Sequence, residues 1–127
     1  PSSMDGLDVP DTGQFVAAVG NRERVDLLES LLSARRGIDP QVIALPIPRQ
    51  GQLHPHTRRS DHASFWDHKI GAVMLTDTGD FRNPNYHGKT DTVDTLDLVF
   101  LRGVIEVVGR AVLSLANQTQ KRLPETP

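Results

Sequence analysis

The sequence has no cysteine, no apolar run of ~18 residues and no cluster of basic side chains. The missing cysteines exclude disulfides and thiolate zinc sites. The lack of a long apolar run and the scattered Lys and Arg residues, at a net charge of −2, predict that neither a membrane nor nucleic acid is a partner. With 37% hydrophobic and 24% charged residues, the 127-residue chain has the composition of one globular domain with a core.

Three short apolar runs predict β-strands, at residues 15–19, 42–45 and 72–75. Each run is apolar on both faces, which is typical of a parallel sheet covered by helices above and below. Asn21 is a predicted N-cap, and Gly37 a predicted stop, for a helix that would join the first two strands as a crossover. The predicted fold class is α/β, a three-layer sandwich with a mostly parallel central sheet that is incomplete in this chain.

Two more helices are predicted beyond the second strand. Ser60 is the predicted cap of a short one, and Asp94 or Thr95 the start of a long one. Gly103 and Gly109 each weaken the long helix by ~1 kcal/mol, so we expect close packing at both. The apolar residues of the long helix recur at three- and four-residue steps and predict one buried face: Leu98, Leu101, Ile105, Val108, Val112 and Leu115.

A long polar segment between the third strand and the last helix carries the best candidates for chemistry. Loops of this length inside a compact domain are usually functional or disordered. The imidazole of His87 is a candidate zinc ligand, and Asp91 is either its hydrogen-bond partner or a plain turn residue. Tyr86 could either donate a hydrogen bond from its phenol to a developing oxyanion or pack at the base of the loop.

Several of these residues occur in an order that resembles a known family. Ser60-Asp61-His62 precedes Phe65, an apolar strand follows, then Tyr86-His87 and, four residues after the histidine, Asp91-Thr92, and a helix closes the chain. This order resembles the C-terminal half of the M28 zinc aminopeptidases, with the pattern SDH-x-x-F, a GIPA-like strand, YH-x-x-x-DT and a closing helix. The motifs are specific in combination and weak singly.

The resemblance implies a role for each candidate residue. His87 would be the last metal ligand of a two-zinc site, and Tyr86 would steady the tetrahedral intermediate. Ser60 and Asp61 would support a metal-bound carboxylate and the substrate pocket. Residues 13–117 would be the C-terminal part of such a peptidase domain, between an irregular lead-in (1–12) and a polar tail (118–127).

The other family features are missing from the sequence. It has no Glu-Glu pair to supply the general base and no His-x-Asp motif to supply further ligands. We therefore expect the chain alone to be inactive, to hold zinc poorly, and to pair with a missing N-terminal portion or with a second copy before it meets a peptide substrate. Two alternatives stay open: a non-catalytic interaction domain with this fold, and a one-zinc glutaminyl-cyclase-like acyltransferase, which Tyr86 and Ser60 disfavour.

Overall fold

The computed structural model describes residues 12–122, so the predicted lead-in lies almost wholly outside the described residues. Strands and helices alternate along the chain. In chain order they are β1 (Phe15–Asn21), α1 (Val25–Ala34), β2 (Gln41–Ile47), α2 (His62–Asp67), β3 (Val73–Thr76) and α3 (Leu98–Arg122), with short 3₁₀ turns between them. All three predicted strands are present, and the α/β class is confirmed.

The strands form one sheet in the order β2-β1-β3. β1 and β2 are parallel and are joined through α1, as the crossover prediction required. β3 runs antiparallel to β1, with Thr76 opposite Ala17 and Val73 opposite Gly20. The described sheet is therefore mixed, and the carboxyl end of β3 lies beside the amino end of β1.

The sheet is covered on both faces, as its apolar strands predicted. One face packs against α1 and α3 through Val16, Ala18, Val42, Leu28, Leu31, Val107 and Ala111. The other face packs against α2 through Phe15, Ala17, Val19, Leu45, Ile47 and Trp66. All seven residues of β1 are buried. The central strand thus organises two apolar layers, as expected for a strand between two sheet neighbours.

The start of α1 differs from the prediction. Asn21 ends β1 and caps nothing with its side chain, because its Oδ1 accepts the backbone N–H of Ala72 at 3.4 Å. A 3₁₀ turn follows, and α1 begins at Val25. The predicted stop is confirmed, since Gly37 has a φ of 76°, in the left-handed region that favours glycine.

The two later helices also start elsewhere than predicted. The N-cap residue of α2 is Asp61, whose side chain makes no capping hydrogen bond, so the capping role expected of Ser60 was wrong. α3 begins at Leu98, where Asp97 Oδ1 accepts the backbone N–H groups of Val99 and Phe100 at 2.9 and 3.0 Å. Asp97 is an ordinary helix cap. α3 then continues to Arg122, into the segment predicted to be a polar tail.

The buried face of α3 is not the predicted one. Gly103, Val107 and Ala111 face the protein, whereas Leu98, Ile105 and Val112 are 61%, 63% and 57% exposed. Leu101 is also exposed, and Val108 and Leu115 are half-buried. A Cβ on Gly103 would overlap the carbonyl oxygen of Asp39, so the glycine lets the helix approach there and sets its rotation.

Close packing is therefore confirmed at Gly103 and wrong at Gly109, where a Cβ would meet nothing within 4 Å. α3 is left with a second, solvent-facing apolar side. Of the described helices, none is both long and apolar enough to cross a membrane.

Candidate functional site

The loop between β3 and α3 is anchored at the amino end of the central strand. It leaves β3 at Thr76, and the guanidinium of Arg82 lies 5.1 Å from the ring centroid of Phe15 at the start of β1. The hydroxyl of Thr76 accepts the backbone N–H of Thr78 at 3.0 Å, which turns the chain back over the sheet. Because β3 is antiparallel to β1, the loop that follows it lies at the amino end of β1.

Tyr86 and His87 lie side by side in a tight turn of this loop. Their ring centroids are 4.2 Å apart, with the planes tilted by 40°. His87 is exposed and has a φ of 55°, a left-handed conformation uncommon for residues other than glycine. The backbone N–H of Gly88 donates to the carbonyl of Asn85 at 2.7 Å and closes the turn. The turn therefore presents an imidazole and a phenol together to solvent.

Asp91 meets His87 through the backbone. Its Oδ2 accepts the backbone N–H of His87 at 3.3 Å, and its own N–H donates to the carbonyl of Gly88 at 3.1 Å. Among the described residues no hydrogen bond reaches the imidazole of His87. Asp91 thus holds the left-handed turn in place, and the structure does not make it the partner of the ring.

A cleft of ≈ 860 Å³ opens between the loop, the edge of β3 and the start of α3. Ser60 and Tyr86 both line it. Asp61 lies instead in a smaller hollow of ≈ 350 Å³ with Ser60, His62 and Phe65, beside β3. The structure therefore joins Ser60 and Tyr86 at one cleft, while His87, Asp61 and Asp91 do not line that cleft.

An ion pair at the rim of the cleft was not predicted. The guanidinium of Arg59 lies 3.0 Å from both carboxylate oxygens of Asp80 and connects the segment before α2 to the loop after β3. Both side chains line the cleft. The two residues are far apart in the sequence and carry no local pattern, so nothing in the sequence pairs them.

One ring nitrogen of His62 is buried and has no hydrogen-bond partner among residues 12–122. The residue is 6% exposed, and its ring stands edge-on to Trp66 with centroids 4.5 Å apart. Nε2 lies 2.7 Å from the carbonyl oxygen of Thr57. Because a carbonyl only accepts, Nε2 carries the proton, and in the neutral ring Nδ1 is an acceptor. Nδ1 is buried and has no hydrogen bond within the described part of the chain.

The side chains of residues 12–118 supply no complete metal site. They contain no group of three or more His, Asp or Glu residues placed to hold one ion. A zinc centre needs about three protein ligands and an open position. The exposed imidazole of His87 fits the role of one ligand, and the remaining ligands would have to come from elsewhere.

Comparisons with known proteins add one relative. No family model and no solved structure matches the chain. The chain is 31% identical over 99 residues to a protein of Escherichia coli K12 described as "Uncharacterized protein YfbL". The match includes 78% of this chain and 30% of that protein, so the chain spans under a third of the length of the relative.

Proposed function

We propose that this chain is the C-terminal portion of a zinc-dependent aminopeptidase of the M28 type, which hydrolyses N-terminal peptide bonds. One observation carries the proposal: the turn that stacks Tyr86 on His87 brings the tyrosine to a cleft that Ser60 also lines. The sequence order suggested the family from motifs that lie far apart in the chain. One residue from each of two motifs, Ser60 and Tyr86, lines the same cleft, and a shared role in substrate binding requires such a meeting.

Each residue has a definite task in this proposal. His87 offers an exposed imidazole as one zinc ligand, and Asp91 fixes the backbone that carries it. Tyr86 donates a hydrogen bond from its phenol O–H to the oxyanion that would form on the substrate carbonyl. Ser60 and Asp61 support the substrate pocket from the start of α2. Two zinc ions, held mainly by residues outside this chain, would supply the activated water.

The fold of the complete enzyme is part of the proposal. We expect a three-layer sandwich with a mostly parallel central sheet, of which β2, β1 and β3 form one part. The two-sided burial of β1 supports this, because such a strand belongs in a sheet with helices on both faces. The greater length of the E. coli relative supports it as well. The chain alone is then inactive, because it lacks the general base and most ligands.

Metal content and kinetics of the complete polypeptide, the longer protein of which this chain would be a part, test the proposal. We expect His87→Ala to lose one zinc ion and most of the aminopeptidase activity, since no described residue replaces the imidazole. Tyr86→Phe should keep both ions and lower kcat by about 10²-fold, because the phenol acts on the transition state. Emission spectroscopy and steady-state assays on aminoacyl-nitroanilides measure both effects.

His68→Ala is the matched control. His68 is an exposed histidine whose Nδ1 lies 2.8 Å from the carbonyl of Ser64, and it does not line the cleft. Its replacement should leave zinc content and kcat unchanged. A complete polypeptide that binds no zinc and hydrolyses no aminoacyl substrate would reject the peptidase and favour the non-catalytic interaction domain.

A further inference from the structure

The segment that carries Ser60 and the loop that carries Tyr86 are joined by an ion pair. Arg59, the residue before Ser60, has its guanidinium Nη1 3.0 Å from both carboxylate oxygens of Asp80. The guanidinium carbon lies 5.9 Å from the ring centroid of Phe81. One arginine therefore contacts two consecutive residues of the loop, directly beside a residue that lines the cleft.

An aromatic contact strengthens the same junction. The rings of His56 and Phe81 stand edge to face, with centroids 5.6 Å apart and planes at 77°. Ring pairs in this arrangement attract each other, and a guanidinium near an aromatic face adds a cation–π attraction. His56 and Arg59 both belong to the segment before α2. This segment therefore contacts the loop through an ion pair and two aromatic contacts.

The ion pair lies close to Tyr86 along the loop. Gly79, the residue before Asp80, packs against the phenol ring, since a Cβ added to it would lie 3.4 Å from that ring. The carbonyl of Gly79 accepts the backbone N–H of Asn83 at 2.9 Å, and the carbonyl of Asn83 accepts the backbone N–H of Tyr86 at 3.2 Å. A ring contact and two backbone hydrogen bonds therefore connect the residue beside Asp80 to Tyr86.

We propose that the ion pair of Arg59 and Asp80 is a positioning clamp that holds the phenol of Tyr86 at the cleft beside Ser60. The clamp rests on the proposed function, in which that phenol acts on the substrate oxyanion, and it adds two positioning residues that act through Tyr86. Placement matters in such a site, because a displacement of about 1 Å can lower the rate by about 10²-fold. Loss of the clamp should therefore impair the role of Tyr86.

The exposure of the clamp separates its effect on position from its effect on stability. The side chains of Arg59 and Asp80 are 46% and 42% exposed. Ion pairs with this exposure contribute little to the stability of a whole fold, because water solvates both charges well. An exposed loop needs far less free energy to move than the fold needs to unfold, so a weak contact still sets its position. We therefore expect loss of the clamp to move Tyr86 without unfolding the protein.

The position of Tyr86 can be followed directly, because it is the single tyrosine of the chain. Fluorotyrosine incorporated during expression gives one fluorine NMR signal, whose chemical shift reports the surroundings of this ring. In the folded chain the signal should differ from that in urea, since the ring lies against His87. Asp80→Ala should move it a large part of the way toward the unfolded position and lower the melting temperature by less than about 4 °C.

Asp67→Ala is the matched control. Asp67 forms an ion pair with Arg58 at 2.7 and 2.8 Å, but these residues lie within and just before α2, and neither lines the cleft. Its replacement should leave the fluorine signal unchanged. The double variant Arg59→Asp/Asp80→Arg reverses the charges and keeps their attraction, so it should return the signal toward that of the unsubstituted chain.

Kinetics of the complete polypeptide provide a second readout. Asp80→Ala should lower kcat by about tenfold and change KM by less than about twofold, because the clamp positions a group that acts on the transition state. In the Tyr86→Phe background there is no hydroxyl to position. There Asp80→Ala should change kcat by less than about twofold.

The outcomes separate the clamp from the proposed function. An unmoved signal in Asp80→Ala, an equal movement in Asp67→Ala, or a double variant no closer to the unsubstituted chain would overturn the clamp. So would unfolding of Asp80→Ala, or a tenfold loss of kcat in the Tyr86→Phe background. An active polypeptide whose kcat is unchanged by Asp80→Ala would reject the clamp and keep the peptidase. The expected signals, with no peptidase activity in the complete polypeptide, would keep the clamp on Tyr86 and reject the peptidase.

Discussion

The β1-α1-β2 unit and the segment from β3 to the start of α3 differ sharply in burial. In the first, β1 is buried along its whole length, and Leu28 of α1 is 1% exposed. In the second, all four residues of β3 are only half-buried, and most of the loop after it is exposed. Three of the candidate site residues, Tyr86, His87 and Asp91, lie in the second region. Most of the core and most of the candidate site therefore belong to different parts of the chain, so mutations should separate stability from function.

Leu28→Ala should show the largest effect and confirm where the core is. The Leu28 side chain fills the space beside Gly20, where an added Cβ would lie 3.0 Å from it. Removing it should lower the free energy of unfolding by about 2–5 kcal/mol. Leu96→Ala, at a residue 49% exposed in the loop, should change that free energy by less than about 0.5 kcal/mol. Urea denaturation of both variants measures these changes. Similar losses of unfolding free energy in the two variants would contradict the difference between the two regions.

Gly103→Ala should have the next largest effect, because it tests the docking of α3 on the first region. The added Cβ would overlap the Asp39 carbonyl oxygen, so the helix must move, at a loss of about 1–3 kcal/mol. Gly109→Ala is the matched control in the same helix. It meets no neighbour and should stabilise by up to about 1 kcal/mol through helix propensity. Thermal unfolding measures both, and stabilisation by both alanines would mean that α3 does not contact Asp39.

Features that depend on residues close together in the sequence were predicted correctly, whereas features that depend on contacts between distant residues were not. The strands were predicted because an apolar run is a local signal, and so was the turn at Gly37. The direction of β3 has no such signal. The rotation of α3 was missed because that helix is apolar on more than one side, and the deciding contact, between Gly103 and Asp39, is tertiary. The predicted cap at Asn21 failed for the same reason, because its side chain accepts a hydrogen bond from the distant backbone N–H of Ala72.

The candidate site follows the same division. Tyr86 and His87 are neighbours in the sequence, so their adjacency could be expected. The cleft that Tyr86 shares with Ser60 could not, because it depends on how β3 and α2 pack. The hydrogen bond from the backbone N–H of His87 to Asp91 could not be predicted either. The four-residue spacing does not tell whether Asp91 contacts the imidazole ring or the backbone of His87.

The smallest expected effect concerns a surface ion pair at the junction of the two regions. The aliphatic part of the Arg24 side chain packs against Gly71, just before β3. Its guanidinium donates hydrogen bonds of 3.0 and 2.9 Å to the two carboxylate oxygens of Asp26. Chiefly through the side-chain hydrogen bond from Arg24, the pKa of Asp26 lies below its usual 3.8. A lowered carboxyl pKa stabilises the fold above the unfolded pKa, and this contribution disappears as the pH falls through the folded pKa.

Both side chains of this pair are about half exposed, so solvent reduces the contribution to about a few tenths of a kcal/mol. Arg24→Gln should therefore destabilise slightly at neutral pH and have no effect well below pH 3.8. The urea unfolding midpoints of the unsubstituted chain and of Arg24→Gln, measured across that pH range, test this expectation. A penalty that persists at the acidic end would assign the effect of Arg24 to its packing on Gly71.

Because the backbone of His87 is left-handed, selection for stability and selection for an imidazole should favour different residues at this position. A side chain other than glycine loses about 1–2 kcal/mol in that conformation, and asparagine suffers less than histidine. Laboratory evolution under selection for thermal stability alone should therefore replace His87 by glycine or asparagine early. If selection also demands a working imidazole, the histidine should persist at that energetic disadvantage, so the substitution rate at one residue would report whether the side chain is used.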